Sequence, residues 1–194
     1  NCLKRYDPLG KYPMLQSYCP GTGLGQMVYM HHGEAILKFQ HQRIHEMPPE
    51  GGVSSLCKSI SLTENVELFD KSIALLQALK WEGPAMVEYR YDDKTKKSVL
   101  MEINGRFWGS LPLAYYAQAH FVWTLYNVQV LRVNSFQGKK LRKIRCMFFI
   151  PELKRLVVLV FKGHTIQDKS MTFNLKDELS VFICHYFDIQ YFYV

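Results

Sequence analysis

Hydrophobic and polar positions alternate in short blocks along most of this chain, and glycine, proline and charged clusters separate the blocks. A period of two places alternate side chains on opposite faces of a strand. On that basis strands are predicted over residues 12–19, 26–31, 35–45 and 144–150, and around Glu88 and Glu102. His32-Gly33-Glu34 reads as the turn of one hairpin and the polar run 92–97 as the turn of another. Pro20-Gly21-Thr22-Gly23-Leu24-Gly25 predicts a flexible loop, as does 47–53 with Pro48, Pro49, Gly51 and Gly52. The period then lengthens: Val66, Phe69, Ile73, Leu76 and Leu79 recur at helical spacing. Ser61-Leu62-Thr63-Glu64 fits a capping box at the start of that helix, and Gly83-Pro84 stops it after about Trp81. Further helices are predicted from Ser110, as cap, through Ala119 with Pro112 in the first turn, and over 120–133, 152–160 and 175–186. Helices interleaved with mainly antiparallel hairpins make this an α+β chain.

Composition narrows the class. The 194 residues, 48% hydrophobic and 14% aromatic, are enough for a substantial core in one domain or two small lobes. Five scattered cysteines without a Cys-x-x-Cys pair support neither a zinc cluster nor a redox motif, and a reducing, cytoplasmic setting is the simpler expectation. No apolar run approaches the roughly 20 residues that cross a bilayer, so no membrane partner is expected. The net charge of +7 is concentrated: between Arg132 and Lys162 there are nine Lys and Arg against the single acid Glu152. Such a segment can grip nucleic-acid phosphates or be a solvated face. No stacking motif accompanies it, which makes nucleic acid an unlikely partner.

The chemistry concentrates elsewhere. In Met101-Glu102-Ile103-Asn104-Gly105-Arg106 a strand puts Glu102, Asn104 and Arg106 on one face. Glu88, on the strand before the 92–97 turn, joins them if the two strands pair with their chemistry facing the same way. Two carboxylates, an amide and a guanidinium suit Mg²⁺ and a polyphosphate, since magnesium takes hard oxygen ligands and Arg forks phosphate. Gly21-x-Gly23-x-Gly25 lacks the last glycine of a dinucleotide fingerprint and precedes a strand, which argues against a nucleotide fold of that type. His31 and His32 fall on opposite faces of a strand end, poor geometry for a shared metal, and read as structural. Phe107, Trp108, Tyr115 and Tyr116 read as core or pocket wall.

With those residues in view, the chain from about Pro13 to Gly163 resembles the second half of an ATP-grasp enzyme. Glu88, Glu102, Asn104 and Arg106 match that superfamily's pattern of two carboxylates and an Asn on two magnesium ions, followed by an Arg on the transferred phosphate. Trp108-Gly109-Ser110-Leu111-Pro112-Leu113-Ala114 resembles the carbamoyl-phosphate-synthase-like branch of carboxylate–amine ligases. Gly105 stands where that branch usually has Pro. The resemblance implies a mostly antiparallel ATP-grasp sheet with packed helices, ATP and Mg²⁺ as cofactors with Mn²⁺ as the alternative ion, and joining of a small carboxylate to an amine or thiol through an acyl phosphate. It implies adenine contacts at Gln16, Ser17 and Cys19, with Ser17 where relatives often carry Glu. It also implies a substrate-side loop over 41–52, in which Arg43 clamps phosphate or carboxylate. His45 there reads as a general base, a phosphate donor or an ordinary exposed histidine. Residues 1–133 form the ATP-grasp portion and 134–194 a basic extension. The lysine-bearing N-terminal lobe of such enzymes is not found before Pro13, so the chain reads as a fragment. The competing readings are an inert nucleotide-binding module and a nucleic-acid binder using residues 132–162.

Overall fold

The computed structural model describes residues 17–48, 52–133 and 140–162, with isolated positions at 6, 8, 10, 12 and 14. The helix expected over 175–186 lies outside the described residues, as does Gln16.

Strand β1 (Thr22–His31) turns at His32 and Gly33 into β2 (Glu34–Met47). Both turn residues have positive φ, 48° and 79°, the twist that a tight two-residue hairpin needs. β3 (Val53–Ser59) follows, then helix α1 (Val66–Ala78), and then β4 (Gly83–Asp92) with β5 (Lys97–Asn104). Two short helices, α2 (Leu111–Tyr116) and α3 (Phe121–Tyr126), lead into a π-helical turn over Asn127–Leu131. β6 (Arg145–Met147) and α4 (Phe149–Lys162) complete the described part. The strands form one six-stranded sheet in the order β5-β4-β1-β2-β3-β6, and every pairing is antiparallel. The α+β expectation holds. No helix among the described residues is long and apolar enough to cross a membrane.

Several boundaries differ from the sequence pattern. The described residues of 12–19 are not in a strand. The glycine run expected as a loop lies largely within β1, and the two ends of the loop expected over 47–53, Met47 and Val53, belong to β2 and β3. Glu64 does reach back to the Ser61 N–H at 3.3 Å, as a capping box would. Ser61 Oγ, however, accepts from Thr63 N at 3.2 Å, closing a turn, and α1 opens later behind Asn65 in a left-handed conformation. Ser110 stands at the start of α2, but its hydroxyl bonds His41 Nδ1 at 2.8 Å instead of capping. The strand over 144–150 shrinks to three residues, and α4 begins early enough to take Pro151 into its first turn, where the missing N–H is no loss.

The sheet has two covered faces. Against one lies α1, where Phe69 and Leu76 pack on Leu24, Val28, Met30, Ala85, Val87 and Tyr89. Beneath them runs a buried polar chain. Ser72 Oγ shares a 2.7 Å hydrogen bond with the Tyr89 hydroxyl and donates to Gln26 Oε1 at 2.6 Å. Gln26 Nε2 donates to Gln40 Oε1 at 3.3 Å, and Gln40 Nε2 donates to the carbonyls of Ser61 and Glu64. These bonds fix the turn before α1 onto β1 and β2. The other face carries Met27, Tyr29, Phe39 and Met86 under Trp108, Leu113 and Phe121.

Ser72→Ala is expected to lose about 1–3 kcal/mol of stability in urea unfolding, because it strips buried partners from Gln26 and Tyr89. The exposed neighbour Lys71→Ala should stay within about 0.5 kcal/mol of wild type. Equal losses would contradict this reading of the network.

Candidate functional site

Along the α2-side face the character of three adjacent strands changes together. β1 reads Tyr29, Met27, Gly25, Gly23; its partners on β4 are Pro84, Met86, Glu88 and Arg90. On β2, Leu37, Phe39 and His41 oppose the first three, and Arg43 continues the row. The apolar end is sealed by Trp108 and Phe121, whose rings meet edge to face at 5.0 Å. The other end is a trough floored by glycine and walled by charge. A Cβ on Gly23 would lie 2.6 Å from Arg43 Cδ, and one on Gly25 would lie 2.7 Å from His41 Nε2. Without those Cβ atoms Arg43 crosses β1 and reaches β4, where Nη2 meets Glu88 Oε1 at 2.6 Å.

The predicted metal set converges here. Glu88 and Glu102 are direct partners across the β4–β5 ladder, and Met86 pairs with Asn104, so all three polar side chains lie on the trough face. Asn104 Nδ2 donates to Glu102 Oε1 at 2.7 Å. Burial pushes the Glu88 carboxyl above its ordinary value; Arg43 opposes that, and the negative charge of Glu102 adds to it. The two carboxylates thus feel one another, and an oxygen-only donor set with unspent negative charge fits a hard divalent cation. Gly105 has its own reason: a Cβ there would run into the Trp81 ring.

Three members of the cluster, Glu46, Arg90 and His41, were not among the candidates the sequence offered. Glu46 Oε1 accepts from Arg43 Nη1 at 3.4 Å and from Arg90 Nη1 at 3.2 Å, giving a third carboxylate and a second guanidinium. Strict alternation would put Glu46 on the opposite face from Arg43. The β2–β3 ladder is irregular between Arg43 and His45 and again between His45 and Glu46, which breaks that parity. The only signal was the density of charged residues in the stretch itself. His41, also unremarked, is buried, and burial, with Arg43 nearby, pushes its pKa down to about 3, so it is neutral. It ties the start of α2 to the trough wall.

Other expected site residues fall outside the cluster. Arg106 is exposed, donates from Nη1 to Phe107 O at 3.1 Å, and holds no carboxylate among the described residues. Ser17 is exposed on an irregular stretch, and Cys19 Sγ donates to Pro20 O at 3.6 Å. His45 is a strand residue, not a loop residue. Its Nδ1 lies 2.7 Å from Glu152 Oε1, while Ser55 Oγ donates to Glu152 Oε2 at 2.6 Å and Arg155 Nη1 to Oε1 at 3.1 Å. Arg155 is therefore spent inside the fold, which thins the basic segment. Trp108 is core, and Tyr115 lines an apolar hollow of about 540 Å³ on α2 and α3 that contains none of the acids.

No family model matches the chain, and no curated protein does. Among solved structures it is similar to biotin carboxylase from Campylobacter jejuni in its β-γ-ATP complex, with a TM-score of 0.53 and 12% identity, over 65% of this chain and 29% of that one. It is similar also to urea carboxylase from Kluyveromyces lactis, with a TM-score of 0.50 and 15% identity, over 63% of this chain and 11% of that one. The chain thus spans under a third of either match. These likenesses establish the fold alone, an ATP-grasp-like, mostly antiparallel sheet with packed helices.

Two acids should respond to pH with opposite sign. Glu88 has a raised folded pKa, so its contribution is full below the ordinary carboxylate range and is lost as pH rises through the raised value. Glu152 is also burdened by burial, but hydrogen bonds from His45 and Ser55 and the charges of His45 and Arg155 lower it overall. Its contribution is present above the ordinary range and is lost as pH falls through the lowered value. At pH 7, Glu88→Gln is expected to keep or raise the melting temperature and Glu152→Gln to lower it. A drop for Glu88→Gln as large as for Glu152→Gln would contradict the assignment.

Proposed function

We propose that this chain is the magnesium- and phosphate-handling part of an ATP-dependent ligase, a cytoplasmic enzyme that joins a small carboxylate to an amine through an acyl phosphate. The observation that carries the reading is the facing pair Glu88 and Glu102, with Asn104 beside them and Arg43 laid over Gly23. An acidic pair with one guanidinium over it is a poor structural device. It is an apt place for Mg²⁺, or Mn²⁺, with a polyphosphate.

Glu88, Glu102 and Asn104 would hold the cation or cations, whose chemistry is to neutralise charge on the phosphate oxygens. The residues themselves position and neutralise. A substrate carboxylate oxygen attacks the γ-phosphorus of ATP, the bond to the bridging oxygen breaks, and ADP leaves. The amine nitrogen then attacks the acyl carbon, phosphate departs, and the surplus proton goes to solvent. Arg106 is assigned to the equatorial oxygens of the transferring phosphoryl group, where a planar fork is worth more than a point charge. Arg43, laid over Gly23 beside Glu88, is assigned to substrate carboxylate or phosphate. Gln16, Ser17 and Cys19 are assigned to adenine through their backbone, and His41 to holding the wall behind Arg43.

The test is ADP release from Mg·ATP with a panel of carboxylates and amines, on the longest chain that contains this sequence. Glu102→Ala is expected to abolish release; near-normal turnover would sink the assignment. Arg106→Lys is expected to lower kcat by about 100-fold or more while leaving ATP affinity within a few-fold. An equal fall in both would remove Arg106 from the transition state. Tight Mg·ATP binding without ADP release under any mixture would identify an inert module instead.

A further inference from the structure

We propose that His31, His32 and Glu82 form a second metal site, for a borderline divalent transition ion such as Zn²⁺, at the β1–β2 turn. It lies at the opposite end of β1 from the glycine trough. The sequence pattern sets the two histidines on opposite faces of a strand, but β1 ends at His31 and His32 begins the turn. With φ at 48°, His32 is left-handed, and its ring swings round to stand 4.0 Å from that of His31, centroid to centroid. Glu82, just before β4, completes the group, and one donor atom from each of the three lies within 4.8 Å of the other two.

Three features hold the ligands in place beforehand. The His32 backbone N–H donates to Glu82 Oε1 at 2.8 Å, which fixes that carboxylate and leaves Oε2 toward His31 Nδ1. Gln77 Nε2 donates to Gly33 O at 2.8 Å, pinning the turn to the end of α1. His31 is largely buried, with 16% of its side chain exposed, while Glu82 faces solvent at 53%, so the site has a fixed wall and an open mouth.

The spacing suits an ion better than a direct bond. His31 Nδ1 and Glu82 Oε2 stand 3.5 Å apart, long for a hydrogen bond. Two ligands each about 2.1 Å from a tetrahedral zinc ion stand roughly 3.4 Å apart. Two imidazoles and one carboxylate favour Zn²⁺, Ni²⁺ or Cu²⁺ over Mg²⁺, with water filling the remaining position. Such an ion ties the β1–β2 turn to the segment entering β4 and stabilises the sheet from the end remote from the trough.

The test is titration with ZnCl₂ followed by calorimetry and melting temperature, on wild type, His31→Gln, His32→Asn and Glu82→Gln. Asn tolerates the left-handed backbone, so His32→Asn keeps the turn; circular dichroism of each metal-free variant checks the fold. Wild type is expected to bind and to melt higher with zinc, and each variant to bind at least about tenfold more weakly. No zinc binding by wild type, or wild-type affinity in either histidine variant, would overturn the proposal.

Discussion

Arg43 lies across β1 to meet Glu88, and the shape of the trough depends on that one crossing. β2 and β4 are not neighbours, and each sits about 4.8 Å from the strand between them, so the two lie roughly 9–10 Å apart. Any side chain on the intervening strand would stand in the way. Gly23 and Gly25 remove the obstacle at the two positions that face the site, and Met27 and Tyr29 restore bulk where the same face must form core. One strand therefore serves both as wall of the hydrophobic core and as floor of the polar site.

The electrostatics follow from this geometry. A lone Arg–Glu pair half out of water contributes little to stability once desolvation is counted. Here burial pushes the Glu88 carboxyl upward; Arg43 and Arg90 oppose the shift, and the negative charges of Glu102 and Glu46 add to it. The fold tolerates this because the covered halves of the sheet are well packed: α1 sits on a continuous polar chain from Tyr89 to Gln40, and α4 is pinned by Glu152 to His45 and Ser55. The proposed cation site rests on one perturbed acid, Glu88, in a glycine-floored trough on an otherwise consistent scaffold.

Much of this was legible in the chain. Period-two alternation located the strands bearing Glu88 and Glu102, and the Glu-x-Asn spacing put Glu102 and Asn104 on one face, as the ladder has them. Helical spacing found α1, although a local Ser61 turn moved its start. What stayed hidden required knowledge of neighbours. Glycines two apart read equally as a loop or as one cleared face of a strand, and only the crossing of Arg43 decides between them. The ladder irregularities around His45 scrambled parity, which concealed Glu46 and sent His45 to Glu152. His31 and His32 come together because a left-handed turn residue obeys no strand rule. The resemblance carried by Glu88, Glu102 and Asn104 and the likeness to biotin carboxylase agree on fold.

The most direct measurement is electron paramagnetic resonance of Mn²⁺ titrated with ATP into wild type and Glu88→Gln. The expected result is a protein-bound Mn²⁺ signal in wild type that depends on ATP and is lost or greatly weakened in Glu88→Gln. Manganese that remains as free Mn·ATP with wild type, or binds both proteins alike, would contradict a cation site at Glu88, Glu102 and Asn104.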